Sequence, residues 1–264
     1  MAELLQLIDT HTHLAMKKYA GSLAEVLVRS RQAGVEQWVT IGTNLKDSAA
    51  GIKLAREHPG LYCSVGVHPH EAQHQKSDYL DEAQKLAGAV EVKAIGEIGL
   101  DYHYEFSEKD TQKRIFAEQL ELAGEFGLPV IVHCRDALDD CLAVLDNWQR
   151  SDVPVVFHCF GGDTKQAQLV LDRGFFISFT GVITFKNAPD VQRMAEYVPL
   201  ERVMLETDCP YLSPEPKRNV RPNEPALLVH TAEKLAQLKN IPVAEIARVA
   251  TENSRLFFGI DVTL

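Results

Sequence analysis

Short apolar runs alternate with longer helix-like segments along nearly the whole chain. The short runs, rich in β-branched residues, read as strands. They fall near Leu5–Ile8, Gln37–Ile41, Leu61–Val65, Ala94–Ile95, Val130–Val132, Val155–Phe157, Phe175–Ser178 and Val203–Leu205. Between them, segments such as Ser22–Ala33, Leu45–Glu57, Glu108–Phe126 and Lys165–Arg173 read as helices. Gly34, Gly127 and Gly174 stand just past three of these, where a left-handed residue commonly ends a helix. Pro225 to Leu256 predicts two more helices, joined near Asn240-Ile241-Pro242.

Strands that alternate with helices imply parallel pairing with crossover helices. Eight such units in 264 residues predict a (β/α)8 TIM barrel with additional C-terminal helices. A doubly wound open sheet is the alternative, but no Gly-rich phosphate loop follows the first strand. With no flexible linker or low-complexity tract, residues 1–264 read as one domain. The Pro-rich stretch from Pro210 to Pro225 reads as a long loop after the eighth strand, and barrel chemistry sits in such loops.

Composition narrows the class. With 45% apolar and 24% charged residues the chain reads as an ordinary soluble globular protein. No run approaches the ~18 apolar residues of a membrane span. The N-terminal residues lack the basic region and long apolar stretch of a signal peptide. The five cysteines, Cys63, Cys134, Cys141, Cys159 and Cys209, form no CxxC, which suits reduced thiols in the cytoplasm. A net charge of −10 argues against a broad nonspecific nucleic-acid surface, though not against a small cationic cleft. No long heptad run marks an interface, so a monomer is the default expectation.

The candidate chemistry begins at His11 and His13, after the first apolar run, Leu4 to Ile8. Side chains at i and i+2 of a strand share a face, so both imidazoles can meet one metal ion. Glu97, His133, His158 and Asp208 likewise follow short apolar runs. In a parallel barrel these strand ends share one rim, which predicts one shared site. Nitrogen and carboxylate donors suit zinc, manganese, iron or similar divalent ions. Six ligands exceed the three of an open catalytic zinc and suit two ions, with a carboxylate bridging at ~3.5–4 Å. Glu97 is the bridge candidate, because strand four lies between the two histidine pairs. Each residue also has a plainer reading: a polar surface pair for His11 and His13, hydrogen-bonded core for His133 and His158, a turn cap for Asp208. Glu97, between Gly96 and Ile98-Gly99, resists one, since burying an unpaired carboxylate is costly.

These residues also carry a family resemblance. Asp9-Thr-His-Thr-His13, Gly66-Val-His-Pro69, Gly96-Glu-Ile-Gly-Leu-Asp-Tyr102, Val132-His-Cys-Arg-Asp136, His158-Cys-Phe160 and Glu206-Thr-Asp-Cys-Pro-Tyr-Leu212 occur in the order found in the TatD family of metal-dependent deoxyribonucleases. The chain resembles that family from residue 9 to about 225, and its closing helices are similar too. The resemblance implies a (β/α)8 barrel and two divalent ions, with Mg2+, Mn2+ and Zn2+ as candidates. His11, His13, Glu97 and Asp208 would hold one ion; Glu97, His133 and His158 would hold the other. The implied activity is phosphodiester hydrolysis in DNA, as a 3′-to-5′ exonuclease on single strands. One departure is the loop Pro214-Glu-Pro-Lys-Arg-Asn-Val-Arg-Pro-Asn-Glu-Pro225, one residue longer than is usual, with Asn219 in place of a glycine. Asn tolerates a left-handed backbone, so the turn is expected to survive. Some other amidohydrolases bridge their metals with a carboxylated lysine on strand four. This chain offers Glu97 there, and Lys93 sits too early.

Supporting roles follow. Asp208 is the candidate general base, with a ligand-only role as the alternative. His68 is placed to hydrogen-bond a phosphate oxygen, and its plainer reading is a turn histidine before proline. Arg135 is a candidate for binding phosphate or pairing with Asp136 or Glu206. Glu206 is a candidate for orienting a ligand or water, or for pairing with an arginine. Asp101 and Tyr102 have contact with sugar or base and a structural role as alternatives. Lys217, Arg218 and Arg221 outweigh Glu215 for a local charge of +2, a candidate strand-tracking patch to which Lys17, Lys18 and Lys186 could add. Two other functions compete with nuclease. One is metal-dependent hydrolysis of a small ester, amide or aminoacyl linkage; the other is a non-catalytic, metal-stabilised binding barrel. Without a GxSxG elbow, Ser-His-Asp catalysis is a poor fit, and alternation turns Cys134 and Cys159 away from the ligand histidines.

Overall fold

The computed structural model describes residues 5–104 and 106–261. Leu4, where the first apolar run begins, lies outside the described residues. In chain order the elements are β1 (Leu7–Thr12), α1 (Leu23–Gln32), β2 (Val35–Thr40), α2 (Leu45–Glu57), β3 (Leu61–Val65), α3 (Tyr79–Ala87), β4 (Val92–Asp101) and α4 (Lys109–Phe126). Then follow β5 (Val130–Arg135), α5 (Leu138–Trp148), β6 (Val155–Phe157), α6 (Thr164–Leu171), β7 (Phe176–Phe179), α7 (Pro189–Tyr197), β8 (Val203–Leu205), α8 (Leu228–Lys239) and α9 (Val243–Phe258). Among the described residues, eight strand-then-helix units with one helix added make this a (β/α)8 TIM barrel, the expected class.

The chain falls into two compact units, one built from residues up to 40 and from 159 onward, the other from 41–158. In the first, β1 pairs with β2 in parallel, from Leu7 opposite Val35 to Thr12 opposite Thr40. β7 pairs with β8 in the same sense, Ile177 opposite Val203 and Phe179 opposite Leu205. Every residue of β1 is buried, as expected of a strand covered on both faces. The closing helix α9 is tied to the strands by polar bonds. Thr251 Oγ1 donates to the Gln6 carbonyl (2.7 Å), and Asn253 Nδ2 to those of Leu200 and Val203.

In the second unit, β3, β4, β5 and β6 pair in parallel and in sequence order. β4 runs for 10 residues, well beyond the expected Ala94–Ile95. Gly96 and Gly99 obscure it in the sequence, because glycine weakens a strand pattern. Both are there for close approach to β5. A Cβ on Gly96 would lie 2.6 Å from Ile131 Cβ, and one on Gly99, at φ +137, would lie 2.1 Å from the His133 carbonyl oxygen. Helix α4 stops at Gly127 in the left-handed conformation (φ 62), as the sequence predicted. The ends of α1, α4 and α6 fall within two residues of the expected segments, and α2 matches Leu45–Glu57 outright.

Candidate metal centre

In the first unit, His11 lies in β1 and His13 follows its end. The two rings meet edge to face with centroids 5.1 Å apart. The stretch after β8 continues alongside β1. The Asp208 amide donates to the His11 carbonyl (3.0 Å) and the His13 amide to the Cys209 carbonyl (2.8 Å). This brings Asp208 Oδ1 to 3.2 Å from His13 Nε2 and 3.9 Å from His11 Nε2. Asp208 takes a left-handed backbone (φ 52), which Asp tolerates better than most residues. Asp9, fully buried one residue pair earlier on β1, pins the stretch. Its carboxylate accepts from the Thr207 amide (2.9 Å) and hydroxyl (2.6 Å). Burial pushes the Asp9 carboxyl up to about 8, against the pull of the Thr207 bonds.

In the second unit, Glu97 on β4 is surrounded by imidazoles. Its Oε1 lies 2.7 Å from His133 Nδ1, 2.8 Å from His158 Nε2 and 3.5 Å from His68 Nε2. Glu97 is buried, and these histidines are its answer to the desolvation cost that its sequence context raised. Thus His11, His13 and Asp208 come together in one unit, and Glu97, His133 and His158 in the other, joined there by His68.

The tautomers can be assigned from the hydrogen bonds. Asp101, at the end of β4, accepts from His133 Nε2 (3.0 Å) and His70 Nε2 (2.8 Å) through Oδ2. Its Oδ1 accepts the amides of His103 and Tyr104, both at 3.0 Å. Burial raises the Asp101 carboxyl, but the His133, Tyr104 and His70 bonds outweigh it and hold it well below the usual carboxylate range. With its proton on Nε2 toward Asp101, His133 turns the Nδ1 lone pair to Glu97. Two acceptors then face each other at 2.7 Å, an arrangement that only a cation or a shared proton satisfies. Burial lowers the His133 pKa, yet the Asp101 and Glu97 bonds leave it raised, as a group that attracts positive charge. A carboxylate behind a metal-binding histidine is the usual device for fixing such a ligand.

His68 differs. Its Nδ1 accepts from the His70 amide (3.1 Å), and burial lowers its pKa to about 4 despite Glu97 nearby. The neutral ring therefore carries its proton on Nε2 and offers a donor toward Glu97, not a lone pair. Ligands held ~2.0–2.2 Å from one ion lie roughly 3 Å apart, which is the spacing found within both groups. The donor sets present fit a divalent metal.

The other expected site residues are placed as follows. Glu206 accepts from Ser178 Oγ (2.5 Å) and the Cys159 amide (2.8 Å). The Arg135 guanidinium lies over the Tyr104 ring at 5.0 Å, while Asp136 pairs with His103 (3.1 Å). Tyr102 donates to Asp140 (2.6 Å) and sits under Lys109, a structural position between helices α4 and α5. Arg218 stacks on Phe185 (3.7 Å) and donates to the Ser213 carbonyl (3.1 Å). Arg221 donates to Ser213 Oγ (2.9 Å), so both arginines brace their own loop. Asn219 is not left-handed, yet the turn around it is kept, with the Val220 amide donating to the Lys217 carbonyl (2.9 Å). Lys93 lies over Tyr62, away from Glu97. Sequence reasoning missed His70, and it left the role of Asp101 open. Only the late position of Asp101 in the Gly96–Tyr102 motif hinted at one.

A TIM barrel bearing groups of histidine and carboxylate ligands at its strand ends is the make-up of a metal-dependent hydrolase. The comparisons with known proteins agree. The family described as TatD related DNase matches residues 8–259. The chain is 37% identical to an uncharacterized metal-dependent hydrolase, YabD, of Bacillus subtilis, over 97% of this chain and all of that one. It is 35% identical to the 3′-5′ ssDNA/RNA exonuclease TatD of Salmonella typhimurium, over 96% of this chain and 99% of that one. Among solved structures, the TatD homolog YJJV of Escherichia coli matches with a TM-score of 0.92 at 29% identity, covering 98% of this chain and all of that one. The chain belongs to the TatD family and is a metal-dependent hydrolase of that family.

Proposed function

We propose that this protein is a single-domain 3′-to-5′ exonuclease that removes nucleotides from single-stranded DNA, working as a monomer in the cytoplasm with two divalent ions. The observation that carries the reading is the Glu97 carboxylate ringed by three imidazoles, with Asp101 fixing the tautomer of His133. The full-length similarity to a named ssDNA/RNA exonuclease supports the choice of substrate. His11, His13 and Asp208 would hold one ion, and Glu97, His133 and His158 the other; the resemblance gives Glu97 to both. Bound there, divalent ions supply charge neutralisation at the phosphate and a lowered pKa for the attacking water. The chain's residues do the rest. His68 donates its Nε2 proton to a non-bridging phosphate oxygen. Asp208 accepts the proton of the attacking water. Glu206, held by Ser178, fixes the Cys159 amide beside His158 in sequence. Lys217, Arg218 and Arg221 lie along the strand's backbone, and Arg135 binds a phosphate.

The test is a 5′-labelled single-stranded oligonucleotide given to metal-depleted protein, with magnesium or manganese restored. A ladder shortening from the 3′ end, absent in Glu97→Ala, is the expected result. A metal-loaded protein that leaves DNA intact, and cleaves an aminoacyl, ester or amide bond, would move the reading to that chemistry.

A further inference from the structure

Immediately after β4 the chain exposes two aromatic rings. Tyr104 is 42% and Phe106 56% exposed, although each belongs to a type that normally covers itself. The rings stack within 8° of parallel, with centroids 5.5 Å apart. His70 packs edge-on against both, at 5.5 Å from Tyr104 and 4.9 Å from Phe106. His103 meets Tyr104 edge-on at 4.7 Å, and the Arg135 guanidinium lies over the same ring at 5.0 Å. Parallel aromatic rings flanked by a guanidinium, left open to water, match the way proteins hold single-stranded nucleic acid.

The pair is wired to the metal-ligand group of its own unit. Asp101 takes the Tyr104 amide on Oδ1 and His133 on Oδ2. His70 joins the same Oδ2, with its ring 4.3 Å from that of His68 and 6.2 Å from that of His133. One imidazole thus separates the aromatic pair from the side chains that face Glu97. A strand whose phosphate lies at Glu97 has its neighbouring base within reach of those rings.

We propose that Tyr104 and Phe106 form a stacking platform for a nucleobase next to the scissile phosphate, with Arg135 as its cationic flank. The inference rests on the nuclease reading and adds to it a source of strand preference. Stacking on an aromatic face is open to any base, so the platform tolerates sequence. A base inside a duplex is already stacked and paired, and must give that up to reach the platform. The platform therefore favours single strands without reading their sequence.

The experiment compares two oligonucleotides that differ only in the 3′-penultimate and terminal nucleotides, which carry bases in one and are abasic in the other. Wild type, the double variant Tyr104→Ala/Phe106→Ala, and the conservative variants Tyr104→Phe and Phe106→Tyr are assayed with metal. Loss of one stacked base weakens binding about 5- to 150-fold. Wild type is expected to show that penalty in KM for the abasic strand, with a much smaller change in kcat. The double variant is expected to lose the penalty, treating both strands alike, while the conservative variants keep it. A merely structural role would slow both strands equally and leave the penalty standing. A penalty retained in the double variant, or absent in wild type, overturns the platform while leaving the nuclease. If wild type cleaves neither strand, the nuclease reading falls and the platform with it. Phe106→Leu, apolar but without a π face, serves should the double variant fold poorly.

Discussion

Asp101→Asn keeps the size of the side chain and removes its charge. The amide cannot serve both sides of the residue equally. On one side the amides of His103 and Tyr104 both donate to Oδ1, so the Asn oxygen must take that place. The NH2 group then faces His133 and His70, each of which needed an acceptor there. To receive that donor, His133 must move its proton from Nε2 to Nδ1. The moved proton points at Glu97 Oε1, 2.7 Å away, and occupies the lone pair that a metal would use. Loss of such a supporting carboxylate costs about 10- to 100-fold in metal affinity or activity, or about 1.4–2.7 kcal/mol. Metal affinity can be read by competition with a chromogenic chelator, and the His133 tautomer by its 15N shifts in metal-free protein. Weaker binding together with a proton shifted to Nδ1 is the expected pair of results. An Asn variant with wild-type affinity would refute the argument, and so would weakened binding with the tautomer unmoved.

Four further expectations follow from the same geometry. His68→Asn should keep its metal content, measured by atomic emission, while kcat on an oligonucleotide falls at least 10-fold, because the neutral ring at that position is a donor; metal loss would instead make it a ligand. Gly99→Ala drives a Cβ to 2.1 Å from the His133 carbonyl oxygen at a φ of +137, so thermal unfolding should show a loss of at least ~2 kcal/mol; an unchanged midpoint would contradict the close approach of β4 to β5. Neutralising Lys217, Arg218 and Arg221 together should raise the KM for an oligonucleotide and flatten its salt dependence. Arg218→Ala alone should also cost about 1 kcal/mol of stability through the lost Phe185 stack, and a KM unmoved in the triple variant would remove the patch.

Much of the fold was legible because alternating strands and helices leave a strong period in the sequence. The i, i+2 spacing of His11 and His13 put both beside Asp208, as expected of neighbours on one strand face. Boundaries were less legible. β1 begins at Leu7 and reaches Thr12, so His11 lies inside the strand. β4 extends past the expected Ala94–Ile95 through Gly96, Glu97 and Gly99, residues whose reasons for being there are contacts with β5 and with histidines far along the chain. Strand ends alone predicted a shared site for Glu97, His133 and His158, and the sorting of these three into one group came from the family resemblance. The link from Asp101 to His133 spans 32 positions and leaves no periodic trace. Nor does the stacking of Tyr104 on Phe106, two residues apart in an irregular stretch, show in any pattern of apolar spacing. Arg218 and Arg221 counted as free positive charge in the sequence, yet much of their bonding is spent on the loop that carries them.

The most direct measurement is the rate of oligonucleotide cleavage as metal-free protein is titrated with manganese, with bound metal measured in the same samples. The account predicts no cleavage without metal and a rate that climbs to a plateau as two ions bind per chain. Cleavage by the metal-free protein, or a protein holding two ions that leaves the oligonucleotide whole, would contradict it.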